Sequence, residues 1–353
     1  MPDFLGRSVY LTEFEKQKAP LAAGSAGGAP VFISLHIGEE FAPDYPDRVR
    51  AMCSWLREHG WRILADVSEQ TAIQFGCGDI LQLARDLGLW GLRLDDGFTL
   101  EEACSLAARM PIAVNASTVT PEEAAALAAA GPEVIAIHNF YPRPETGLDP
   151  EFLQESTRML QAAGLKVYAF IPGDEQLRGP LHEGLPTLEA HRGAAPLAAF
   201  ADLAVHYSLE GIFAGDPGVS SYELEQIASF CADGVLPVPV HLKAGQEGLY
   251  GQIFTCRPDS PSWLVRYQES RKYARQGGLV EPADCAARPR GTITMDNLRY
   301  GRYSGEIQLM RQDLPADERV NVIGRVDPRY LLLVDCIRRG SRFKMVRPPH
   351  EEE

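Results

Sequence analysis

The sequence predicts an α/β fold: a (β/α)8 TIM barrel over residues 1–243, followed by a small, mainly β domain over 245–346. Three observations carry this reading. Short apolar runs alternate with amphipathic segments as far as residue 233. The runs are apolar almost throughout and close on polar residues, which is the pattern of parallel strands covered on both faces. After Lys243 the alternation stops, and strand-like runs succeed one another without helices between them.

Eight runs qualify as barrel strands: SVYL (8–11), VFISLH (31–36), RILADV (62–67), GLRLDD (91–96), IAVNAS (112–117), VIAIHNF (134–140), KVYAFIP (166–172) and GIFAGD (211–216). Eight repeats favour a closed barrel over an open doubly wound sheet, and no G-x-G-x-x-G follows any of them. The first connecting segment, 19–30, is rich in Gly and Ala and predicts a short or irregular helix. Val49, Met52, Cys53 and Leu56 then keep i, i+3, i+4, i+7 spacing, as do Ile80, Leu83, Ala84 and Leu87 ahead of Gly88. Thr120-Pro121-Glu122-Glu123 is a capping box with Pro at the first helical position. Asp149-Pro150 opens a helix that ends at Gly164, and segments 196–210 and 220–233 supply the last two. In the second domain, 249–256, 291–296, 305–310, 319–326 and 330–337 read as strands. Segment 258–275 reads as a helix, and 347–353 as a tail.

Composition excludes several classes. A net charge of −14 argues against a nucleic-acid binder, which needs a basic face to neutralise phosphates. The cations are mostly Arg, with Lys only at 16, 18, 166, 243, 272 and 344. No uninterrupted apolar stretch is long enough to span a membrane, and the N-terminus lacks a basic region followed by an apolar one. The seven scattered cysteines form no C-x-x-C pair and read as free thiols of a reducing compartment, so the expected location is cytoplasmic.

In such a barrel the strand C-termini and following loops face the substrate. They supply Glu13, His36, Glu39, Glu40, Asp66, Arg93, Asp95, Asp96, Asn115, Ser117, His138, Asn139, Tyr141, Arg143, Asp174 and Asp216. Polar residues close nearly every strand at the same end, which points to an active site. Several have a plainer reading beside the functional one. Asp216 in AGDPG and Asp66 before Ser68 equally cap a turn or helix, His138 fits a core histidine, and Asn115 fits a partner of barrel backbone. Side-chain alternation places Asp95, not Asp96, on the face of Arg93.

No Lys closes a strand to form an imine, and no Ser sits in a nucleophile elbow. His36-x-x-Glu39 is the one sequence-local start of a metal site; no metal or cofactor is expected. Carboxylates with hydrogen-bonding Asn, His, Tyr and Arg fit glycoside hydrolysis best, with two acids drawn from Glu39, Asp95, Asp174 and Asp216. His36, Arg93, Asn115, His138, Asn139, Tyr141, Arg143 and Arg178 are the candidate binding residues. A phosphosugar isomerase or epimerase and a non-catalytic sugar-phosphate binder are the alternatives.

The motifs ISLHIGEE (33–40), RLDDG (93–97), NAST (115–118), HNFYPRPETGL (138–148), FIPGD (170–174), RGPLHEGLPTLEAHR (178–192), GDPGVS (215–220) and the C-terminal stretch 295–326 resemble, in order, one bacterial family. This is the 6-phospho-N-acetylmuramidases, the MupG-like glycoside hydrolases. Asp96 and Gly38 depart from its pattern, where an aromatic residue and Pro are expected. The resemblance implies a TIM barrel with a cyclophilin-like β domain. It also implies cleavage of N-acetylmuramic acid 6-phosphate–N-acetylglucosamine during cytoplasmic recycling of peptidoglycan. The partner is then a small phosphorylated disaccharide, with a homodimer as the assembly to test. A substrate with a phosphate and a lactyl carboxylate needs local cations, for which Arg93, Arg143, Arg178 and Arg192 are placed. Gly215, Gly218 and the helix start at Ser220 form a second candidate anion site.

Overall fold

The structure is a computed structural model that describes residues 2–24, 29–35, 43–95, 97–271 and 279–349. His36, Glu39, Glu40 and Asp96 lie outside them. The chain divides into two compact units, Met1–Pro196 with Tyr207–Ser220, and Leu197–His206 with Ser221–Glu353.

In the first unit, eight parallel strands close into a barrel in chain order. They are β1 (Leu5–Val9), β2 (Pro30–Ser34), β3 (Arg62–Val67), β4 (Gly91–Leu94), β5 (Ile112–Asn115), β6 (Val134–Ile137), β7 (Lys166–Ile171) and β8 (Gly211–Ala214). Between them run α1 (Phe14–Ala23), α2 (Tyr45–Glu58), α3 (Thr71–Gln74), α4 (Ile80–Leu87), α5 (Leu100–Ala107), α6 (Pro121–Ala130) and α7 (Pro150–Ala162). The start signals work as the sequence implies. Thr120 accepts from Glu123 N while Glu123 reaches back to Thr120 N at 2.8 Å, and Asp149 accepts from Phe152 N at 2.8 Å. Helix α4 ends on Gly88 in the left-handed region.

The barrel interior is filled, not hollow. Phe32, Leu64, Ala113, Ile135, Ile137, Tyr168, Phe170 and Phe213 form one buried cluster. Phe32 meets Phe170 edge-on at 5.3 Å between centroids. These rings need room. A Cβ on Gly6 would stand 2.3 Å from the Phe213 ring, so only glycine fits there. Gly6 and Arg7 interrupt the apolar run, which is why the pattern alone suggests a start at Ser8 where β1 begins at Leu5.

In the second unit, a seven-stranded sheet has the order β10-β15-β9-β14-β12-β13-β11. The strands are β9 (Leu236–Leu242), β10 (Ile253–Thr255), β11 (Leu264–Arg266), β12 (Thr292–Asp296), β13 (Ile307–Met310), β14 (Val320–Val326) and β15 (Arg342–Val346). With it belong α8 (Pro196–His206, from Leu197 on), α9 (Ser221–Asp233) and α10 (Leu333–Cys336). Strand β9 pairs with β14 and β15, so the second sheet begins ahead of the expected boundary at Lys243. Pro237 and Pro239 mask this strand in the sequence. They sit where β9 pairs only with β15, and pairing with β14 starts at Val240, so their missing N–H groups break no ladder.

Two further expectations are corrected. Segment 258–275, expected to hold a helix, contains β11, with Val265 and Tyr267 buried at a period of two; its residues 272–275 lie outside the described residues. Segment 330–337 is not a strand. Asp327 caps a short 3-10 turn over Pro328–Tyr330, and α10 follows. Its buried residues Tyr330, Leu333, Val334 and Ile337 keep the i, i+3, i+4, i+7 spacing of a helix.

Candidate active site

The register of neighbouring parallel strands sets the polar layer. Ser34 pairs with Asp66, and Asp66 with Arg93, so β2, β3 and β4 present three polar side chains at one level above the aromatic cluster. Asp95 follows two residues after Arg93, on the same face.

Arg93 organises this layer. Its Nη1 donates to Asp66 Oδ1 and to Asp95 Oδ1, the latter at 2.9 Å, and its Nη2 donates to Asn139 Oδ1 at 2.7 Å. The residue is only 4% exposed. Burial opposes its charge, but Asp66 and then Asp95 outweigh burial and hold the guanidinium above its usual pKa. Ser34 Oγ donates to Asp66 Oδ2 at 3.3 Å, so both oxygens of Asp66 have partners and the residue is buried. The Asp95 side chain is 30% exposed.

A cavity of about 220 Å³ opens over this layer. Its polar side is Ser34, Asp66, Arg93, Asp95, Asn139 and Arg178, and its apolar wall is Phe32, Phe140 and Phe170. Among the described residues, Asp66 and Asp95 are its two carboxylates. An apolar wall with a few convergent polar groups is the usual form of a small-molecule site. Phe140 stands edge-on to Phe170 at 5.0 Å. The aromatic wall and Ser34 escape a reading that looks for titratable groups, although alternation from Ile33 would have placed Phe32 and Ser34 inward. Asp95 also borders a second cavity with Asn115, whose Oδ1 accepts from Ser117 N at 3.0 Å and closes the turn after β5.

Arg178 reaches the cavity from the loop after β7. Its guanidinium lies over the Tyr10 ring at 4.5 Å. That loop is anchored by Asp216, which is fully buried. Asp216 Oδ2 accepts from Gly173 N and Leu185 N, and Oδ1 from Arg178 N, each at 2.9 Å. Burial raises its pKa against the pull of these three bonds. Gly173 has no room for a side chain, since a Cβ would lie 2.1 Å from Gly218 O.

Other sequence-nominated residues serve the scaffold and do not line the first cavity. Asp174 is exposed and accepts from Ser220 N at 2.8 Å. His138 is fully buried, with Ser117 Oγ at 3.5 Å from Nδ1 and Thr157 Oγ1 at 3.4 Å from Nε2. Burial pushes its pKa down to about 4. Tyr141 and Arg143 contribute backbone: Tyr141 N donates to Pro186 O at 3.0 Å, and both carbonyls accept from Arg192.

Arg192 itself clamps loops. Its fork takes both oxygens of Glu189 at 2.7 Å and, from Nη1, Gly184 O at 3.0 Å. Arg192 first, with the Glu145 and Gly147 N–H groups, draws the Glu189 pKa down to about 2. The expected backbone anion site is likewise occupied by protein. Gly215 N donates to Ile171 O, Gly218 N to Gln176 O and Ser220 N to Asp174.

Two family descriptions match the sequence: 6-phospho-N-acetylmuramidase, N-terminal, over residues 5–229, and 6-phospho-N-acetylmuramidase, C-terminal, over 239–346. The chain belongs to the 6-phospho-N-acetylmuramidase family. A crystal structure of a conserved Enterococcus faecalis protein of unknown function is similar at 34% identity and TM-score 0.84, over 98% of this chain and 97% of that one. An uncharacterised B. cereus protein shares the fold at 22% identity and TM-score 0.80, over 98% of this chain and 100% of that one. No curated protein matches. Within this 6-phospho-N-acetylmuramidase family member, no helix among the described residues is long and apolar enough to cross a membrane.

Proposed function

We propose that this family member is a cofactor-independent glycosidase that hydrolyses N-acetylmuramic acid 6-phosphate–N-acetylglucosamine. The observation that carries the reading is the buried Arg93 bridging Asp66 and Asp95 on the floor of an aromatic-walled cavity. In the reaction the bond from the anomeric carbon to the bridging oxygen breaks. The bridging oxygen takes a proton, and a water hydroxyl ends on the anomeric carbon.

Asp95 is the proposed catalytic carboxylate. Its bond from Arg93 orients the carboxylate at the cavity floor, which suits direct attack or orientation of the 2-acetamido group of the substrate. Asp66 is a positioning residue that fixes Arg93. Glu39 stays in the set from which the second carboxylate is drawn, and His36 among the candidate binding residues. Arg178 is the proposed ligand for the phosphate or the lactyl carboxylate, because its fork suits either and makes no hydrogen bond to a carboxylate among the described residues. Phe32, Phe140 and Phe170 flank the sugar ring. Asp174, Asp216 and His138 act through the scaffold.

The cytoplasmic setting, the recycling role and the cyclophilin-like character of the second unit rest on the family resemblance. The test is incubation with the phosphorylated disaccharide, with free N-acetylglucosamine followed by mass spectrometry. Release is expected. Binding without release across pH would overturn the enzyme reading in favour of a binding protein.

A further inference from the structure

The second unit holds a group of side chains that hydrolysis does not use. Asp202 and His206 lie one helical turn apart near the end of α8, with Oδ1 and Nδ1 2.7 Å apart. Cys336, at the end of α10, joins them from 130 residues farther along the chain. The three ligand-type atoms all lie within 4.8 Å of one another. Among the described residues this is the one trio of His, Cys, Asp or Glu side chains with that convergence. The thiol is buried, with the residue 3% exposed, while 17% of the Asp202 side chain and 32% of the His206 side chain are exposed. Solvent therefore reaches Asp202 and His206 more than it reaches the thiol.

We propose that Asp202, His206 and Cys336 form a metal site for a borderline-soft divalent ion, zinc above all. The donor set selects the ion. A thiolate excludes the hard cations calcium and magnesium, while sulfur, imidazole and carboxylate together suit zinc. Zinc bonds of roughly 2.0–2.3 Å bring tetrahedral ligands to about 3.3–3.8 Å from one another. Closing from the observed spread requires side-chain movement on the order of 1 Å. The Cys336 S–H now donates to Leu332 O at 3.5 Å. On binding, the sulfur–hydrogen bond breaks, the sulfur keeps the electron pair for the metal, and the proton passes to buffer. Water takes the fourth position on the exposed side. No electron is transferred. The ion would tie α8 to α10, two segments distant in sequence, so its effect is to brace the second unit.

Cobalt is the probe, because it substitutes for zinc and a cobalt–thiolate bond absorbs in the near ultraviolet. The full chain, stripped with chelator, is titrated with Co²⁺. One equivalent should produce the thiolate-to-cobalt band, zinc should displace it, and about one proton should be released per ion. Cys336→Ser should abolish the band. His206→Asn, at a partly exposed position that folding tolerates, should weaken cobalt binding roughly 10- to 100-fold while leaving the metal-free melting temperature unchanged. Zinc should raise the melting temperature of the parent, raise that of His206→Asn less at the same zinc concentration, and leave that of Cys336→Ser unchanged. Absence of the band at millimolar cobalt would overturn the proposal, as would a band that survives Cys336→Ser, since that would place the metal on another of the seven free cysteines. Hydrolysis of the disaccharide is no part of this readout, so the two proposals fail separately.

Discussion

Arg93 shows how one side chain can serve burial and chemistry at once. Buried charge is tolerated when it is paired and hydrogen-bonded, and here three acceptors meet it. Asp95→Asn keeps an acceptor for Arg93 but removes the carboxylate charge. Turnover should fall roughly 10²- to 10⁴-fold with the melting temperature nearly unchanged, and near-normal turnover would remove Asp95 from the mechanism.

His138 tests the opposite role. Its folded pKa of about 4 lies below the ordinary 6.5. Above pH 6.5 the ring is neutral in both states, and its full contribution to stability is present. As pH falls from 6.5 towards 4 the unfolded chain takes up the proton first, and roughly 3 kcal/mol of stability is lost. His138→Gln should flatten the melting-temperature profile across that window, measured by calorimetry, without a specific loss of catalysis at neutral pH. Strand alternation made Arg93 and Asp95 legible as one face of the barrel, and the position after β6 nominated Asn139. For His138 the sequence left a binding role and a core role open, and the choice between them follows from burial and from the neighbours Ser117 and Thr157, which its own strand does not reveal.

At the scale of elements, the loop after β7 is held by acceptors more than by packing. Removing the Asp216 carboxylate orphans three backbone N–H groups, each costing roughly 1–3 kcal/mol. Asp216→Ala should therefore lose several kcal/mol in denaturant unfolding and raise KM through displaced Arg178. Gly173→Ala should act similarly, since the added methyl meets Gly218 O; increased cleavage of segment 173–192 in limited proteolysis would report it. An intact loop in both variants would show that other contacts set its position. Cap chemistry announced the starts of α6 and α7, at Thr120 and Asp149, and the end of α4 at Gly88, while the capping box of Thr99 on α5 was passed over. Which aspartate caps and which reacts was not legible. The sequence of AGDPG is the same whether Asp216 faces substrate or three amides, and only the path of the neighbouring loop decides.

At the scale of the molecule, alternation of strands and helices revealed the barrel, while the division into units followed contacts that sequence order hides. Helices α8 and α9 come in barrel rhythm yet belong with the second unit from Leu197 and Ser221 on. Buried Glu223 on α9 accepts from Leu197 N at 2.6 Å and from Tyr330 OH. A chain ending at Asp233 keeps both helices but loses Tyr330 and the sheet strand β9 against which α9 packs. It should lack the cooperative thermal transition of the full chain by circular dichroism. A truncated chain that melts as the parent does would show that α8 and α9 need no partner from the second sheet.

The charge count on the cavity floor has one more implication. Two carboxylates, Asp66 and Asp95, share the one guanidinium of Arg93 on that floor, and Arg178 is the second cation of the cavity lining, inside a chain of net charge −14. A phosphate is repelled from such a surface, whereas a sugar carbon gathering positive charge is drawn to it. On the function proposed above, the anionic end of the substrate belongs at Arg178 and the bond to be broken belongs over Asp66 and Asp95, which line the same cavity.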